Sequence, residues 1–160
     1  RPIHLVDDIA MIEQTVGPRG RYSYPFRDLL DAGVPLTLGS DCPVADPNPM
    51  WGMHAAVTRQ RRDGTPEGGW YPRQWLAVEE AVWGYTVGPA IVTGRRDRFG
   101  SITPGKLADL VVLDRDLFAM EPAEIAGVQL VMTILNGEIV YDRGRIRERP
   151  LGRELEFTTG

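Results

Sequence analysis

The residues with chemical reach in this 160-residue chain are few: two histidines, one cysteine, and an aspartate that closes an apolar run. The run is Pro-Leu-Thr-Leu (35–38), and Gly39-Ser40-Asp41 ends it. In parallel α/β folds, ligands bind at the carboxyl ends of strands, so an acid there has the right place for proton transfer or metal ligation. A turn acid or helix cap needs the same residue type, and three residues do not choose between the two. Cys42 follows at once, but no general base lies near it in sequence, and a small buried thiol is the expected role. His4 stands in Arg-Pro-Ile-His. His54 shares a helical face with Met50, Met53 and Val57, which is the pattern of a packed structural histidine. Arg59 closes that helix, where a positive charge is favourable for structural reasons alone.

The elements that must position these groups follow from spacing. Residues 1–8 read as the tail of a strand and a helix start with Asp7 or Asp8 as N-cap. After a turn-rich stretch (16–25), Pro25 to Gly33 gives a short helix opened by proline and stopped by glycine. A strand over 35–39 follows directly, with Pro35 tolerated at its start. Helix then strand through a short link is the rhythm of a parallel α/β unit. The proline-rich segment 41–49 leaves the strand's end as a loop, and 50–60 is a helix. Residues 76–93 read as two short helices broken near Gly88-Pro89. Beyond residue 99 the pattern is β: the run 110–113, then two strands joined by Asn136-Gly137, a strong hairpin signal. The expected division is therefore 1–98 as an α/β segment and 99–160 as a small β domain and tail.

Composition limits the partners. The chain is 42% hydrophobic and 25% charged with a net charge of −4, ordinary for a globular protein and unsuited to nucleic acid or an anionic membrane. No apolar run approaches the ~20 residues of a membrane helix. Cys42 is the only cysteine, which excludes an internal disulfide and makes a reducing cytoplasm the expected compartment. The arginine-rich stretch 143–154 carries glutamates as well and reads as a solvated edge or tail.

Four motifs in one order carry more information than any alone: AGVPLTLGSDCPV, MHAAVTR, GSITPGKLADLVVLDRDL and TILNGEIVY. The series, over roughly residues 2–142, resembles the C-terminal portion of amidohydrolase family 3 in the amidohydrolase superfamily, and is similar to N-substituted formamide deformylases. The resemblance implies an α/β fold: the C-terminal part of a TIM-type (β/α)8 barrel, with the end of the seventh strand and the eighth strand, plus C-terminal strands of a small β-sandwich domain. It implies a hydrolase of a non-peptide carbon–nitrogen bond, acting on a small amide-type substrate through a metal-activated water. Asp41 matches the family's eighth-strand aspartate, which ligates metal or takes the water's proton. His4 matches the histidine of a Gln-Pro-x-His motif, with Arg1 where glutamine is usual, and would lie on the substrate side. The metal would be divalent, one or two zinc ions, held mostly by residues this chain lacks.

A full barrel needs about 250 residues. The family's His-x-His pair is absent from these 160 residues, as are its other ligand histidines. The expectation is a C-terminal portion of a larger enzyme, inactive and without tight metal by itself, that self-associates or pairs with the missing N-terminal part. The rival reading is a non-catalytic binding or regulatory module derived from a degenerate amidohydrolase fragment.

Overall fold

A computed structural model describes residues 1–145. The helices are α1 (Pro2–Asp7), α2 (Ile9–Val16), α3 (Phe26–Asp31), α4 (Pro49–Thr58) and α5 (Val78–Val92), followed by strands β1 (Leu110–Leu113), β2 (Leu130–Leu135) and β3 (Glu138–Asp142). Much of the arginine-rich stretch, residues 146–154, lies outside the described residues.

Helix α4 is the hub. Asn48 caps it, its side chain accepting from the Met50 amide at 3.0 Å, and Pro49 occupies the first turn, where its missing donor costs nothing. From Met50 to Thr58 all but Trp51 are buried, so the helix is enclosed rather than amphipathic. It packs against α1, α5 and the 3-10 turn Pro122–Gly127. Leu5, Met53, Ala56, Leu117, Ile125 and Val128 thus enter one core from both halves of the sequence.

Three expected elements differ. The head of the chain is helical: Pro2 starts α1 and Ile3, Leu5 and Val6 are buried, so the segment expected as a strand tail packs as a helix. Residues 35–39 are extended but form no strand ladder. The segment crosses α5 instead, and the Leu38 amide donates to the Gly84 carbonyl at 2.8 Å. The crossing is close because Gly84 and Gly88 have no side chains: a Cβ at Gly88 would stand 2.2 Å from the Leu36 oxygen. A parallel strand needs strand neighbours, and among the described residues the only sheet is β1-β2-β3. Finally, α5 is one helix with Pro89 inside it, not two.

The β part follows its pattern. Strand β2 pairs antiparallel with both neighbours, Val111 opposite Thr133 and Thr133 opposite Tyr141. Asn136 (φ 51°) and Gly137 (φ 84°) turn the β2–β3 hairpin, both left-handed as a two-residue loop requires. Among the described residues no helix is long and apolar enough to cross a membrane.

Candidate active site

Asp41 stands at the outer end of the extended segment with φ 62°, a left-handed conformation that aspartate tolerates better than most residues. Its carbonyl accepts from the Val44 amide at 2.8 Å, which closes the turn and directs the chain away. The carboxylate, 35% exposed, takes the Arg1 guanidinium at 2.5 Å. Arg1 is the N-cap of α1. The ion pair therefore joins the head of the His4 helix to the Gly-Ser-Asp tip, across the whole of α2 and α3 in sequence.

His4 is half-buried on α1, and its Nε2 is buried without a hydrogen-bond partner among the described residues. A buried ring nitrogen left unpaired is costly unless another group meets it, which makes His4 a functional candidate on geometry as well as on sequence. Cys42 is corrected: it is exposed, not a buried thiol, because the turn at Asp41 carries it outward. Its amide donates to the Ser40 hydroxyl at 3.3 Å.

A network behind the site holds α1 in place. Tyr24 donates its hydroxyl to Asp8 at 2.8 Å, at the junction of α1 and α2. Burial and that contact push the Tyr24 phenol up to about 12. Arg59 then grips the Tyr24 backbone: Nη1 donates to the Tyr24 carbonyl at 3.0 Å and Nε to the Trp70 carbonyl at 2.5 Å. Its guanidinium lies near the Phe26 and Trp70 rings, wholly buried, and burial pulls its pKa to about 10. Arg59 is structural, as its position suggests, but as a clamp on two loops rather than a surface charge on a helix end. His54 is buried in α4, as expected, with its Nδ1 unpartnered among the described residues.

The residues present fit a metal only as a partial donor set. Asp41 already faces a positive charge, and His4 offers an unpaired nitrogen, the two donor types of a zinc or similar centre. Among the described residues no three His, Cys, Asp or Glu side chains gather closely enough to hold an ion.

Comparison with known proteins gives the family. A sequence model of the amidohydrolase family matches residues 1–141. The chain belongs to the amidohydrolase family. It is 38% identical over 120 residues to an N-substituted formamide deformylase of Arthrobacter pascens, covering 75% of this chain and 22% of that protein. It is 28% identical over 144 residues to the putative amidohydrolase YtcJ of Bacillus subtilis (strain 168), covering 89% of this chain and 27% of that protein. Among solved structures it resembles an uncharacterized metal-dependent hydrolase from Pyrococcus horikoshii OT3, with a TM-score of 0.63 and 28% identity over 76% of this chain and 24% of that one. The chain spans about a quarter of the length of these amidohydrolase relatives. Membership of a hydrolase family does not favour the reading as a degenerate, non-catalytic module.

Arg1 is the residue whose part sequence reasoning missed. It reads there only as a departure from a motif; its contact with Asp41 joins distant segments and leaves no local signature.

Proposed function

We propose that the full-length parent is a metal-dependent hydrolase of a carbon–nitrogen bond other than a peptide bond, with Asp41 as metal ligand and general base and His4 beside the substrate. Residues 1–98 would form the last part of its barrel and 99–160 part of its small β domain. One observation supports this most: the anionic Asp41 tip meets the head of the helix that carries the unpaired His4 nitrogen. The Arg1 guanidinium places on Asp41 the sign of charge that a divalent cation would place there.

Asp41 would hold part of a divalent metal such as zinc, which when bound polarises a carbonyl and acidifies a water. The carboxylate oxygen of Asp41 takes the proton of the water that attacks the amide carbon. That proton then serves the amine nitrogen as the C–N bond breaks, so amide and water give acid and amine. His4 orients the substrate through its free nitrogen. The chain alone, lacking the other ligands of such a centre, would be inactive.

Asp41→Asn in the full-length parent is the test. Asparagine keeps the volume and still accepts hydrogen bonds, but it is a negligible base. Turnover should fall by about 10²–10⁴, or roughly 3–5 kcal/mol of barrier, with little change in melting temperature. Near-normal turnover in metal-loaded variant would leave Asp41 as a turn acid.

A further inference from the structure

Arg1 is poorly suited to its place in the helix. It is the N-cap of α1, yet its side chain caps nothing there. A short polar residue serves an N-cap, and a positive charge is disfavoured at a helix N-terminus. The side chain instead reaches Asp41, Nη1 to Oδ2 at 2.5 Å. An ion pair this open, with side chains 56% and 35% exposed, adds little to stability. Neither local structure nor stability accounts for an arginine here.

The pair is also only half used. Among the described residues no other side chain or backbone group meets Nε or Nη2 of Arg1, or Oδ1 of Asp41. A guanidinium is a rigid planar fork of five N–H donors. With Asp41 on Nη1, the edge made by Nε and Nη2 keeps two parallel donors, the arrangement that takes a carboxylate through two hydrogen bonds. Glutamine, usual at this position in the family motif that the sequence resembles, offers a single neutral amide and no such fork.

The mechanism sets which part of a substrate faces that edge. The proton taken up by Asp41 passes to the amine nitrogen as the C–N bond breaks, so this nitrogen comes within hydrogen-bond reach of the carboxylate. What the nitrogen carries then lies beside Arg1. We propose that Arg1 determines the substrate class: an N-acyl amino acid, whose carboxylate sits on the carbon next to the amide nitrogen and is held by the free edge of Arg1. The guanidinium lies directly on Asp41, so a short link between nitrogen and carboxylate fits and a long one carries the charge past it. Water and the N-acyl amino acid give a carboxylic acid and an amino acid, with no further reactant. This rests on the reading of Asp41 as general base and adds the substrate to it.

The experiment is calorimetric titration of the full-length parent with N-acetylglycine and with N-acetylglycinamide, its neutral isostere, together with amine release from both. The acid should bind at least about tenfold more tightly. Arg1→Gln should abolish that preference, and Arg1→Lys, which keeps the charge without the fork, should retain part of it. Arg1 is more than half exposed, and melting temperatures confirm that the variants fold. Failure of the acid to bind, equal binding of acid and amide, or a preference that survives Arg1→Gln would each overturn the proposal. A preference lost in Arg1→Gln without amine release from any N-acyl amide would sink the hydrolase reading and leave the carboxylate site standing. Release from the neutral amide with no preference for the acid would do the reverse.

Discussion

Burial disfavours the charged form of an imidazole, and His54 is held below its ordinary pKa for that reason. The sign of its effect on stability follows. Below the unfolded-state pKa near 6.5 the unfolded chain takes up a proton that the folded chain resists. Folding is then opposed, and stability drops as pH falls from about 6.5 towards the folded-state pKa, by at most about 1.4 kcal/mol per pH unit for one proton. Melting temperature should therefore decline between pH 7 and pH 5 more steeply in the wild-type chain than in His54→Gln. Parallel curves would mean that the imidazole is not shielded. Arg59→Ala is the sharper case. It removes a buried side chain and frees the carbonyls of Tyr24 and Trp70, and should cost about 3–5 kcal/mol, visible as a large loss of melting temperature. At this scale the sequence is legible where a pattern is local. Methionines at helical spacing mark His54 as internal. The grip of Arg59 on two loops, and of Arg1 on Asp41, depends on segments brought together by folding.

Helix α5 shows what an element needs beyond its own propensities. It carries glycines at 84 and 88, poor helix formers, at the two places where the extended segment 36–38 crosses it. Replacing a helical glycine by alanine usually stabilises by about 0.5–1 kcal/mol. At Gly88 the new methyl meets the Leu36 carbonyl, a backbone atom that cannot move aside, so Gly88→Ala should instead destabilise by about 1–3 kcal/mol. Thermal denaturation decides the sign, and a more stable variant would mean that the segment is not seated on α5. The hairpin, β1, α3 and α4 are readable from turn chemistry and periodicity because their signals are complete within a few residues. Segment 35–39 is not. Its composition describes a buried extended chain, but whether that chain becomes a strand depends on neighbours that composition does not record. Gly88-Pro89 misleads for a related reason: the pair that punctuates a lone helix is here a notch for a crossing segment.

The whole molecule leaves its sheet underdressed. Val111, Val112, Ile139 and Val140 are between 43% and 58% exposed, and they lie on β1 and β3, the two edge strands of the sheet order β1-β2-β3. Edge strands in stable proteins are shortened, charged or covered, because unpaired amides and carbonyls recruit other strands. Here β-branched residues occupy those edges, and contiguous exposed apolar surface marks an interaction face. We expect the chain to associate with itself through this sheet. A two-fold pairing of one edge would leave the opposite edge free, so growth beyond the dimer is open to it. The variant Val111→Lys with Val140→Lys puts a charge on each edge strand at positions more than half exposed, where packing loss is small. Sedimentation velocity over a wide concentration range should show oligomers in the wild-type chain and a shift towards monomer in the lysine variant. A wild-type chain that stays monomeric throughout would defeat the expectation, and so would oligomers that both lysines leave unchanged, since association would then run through another face.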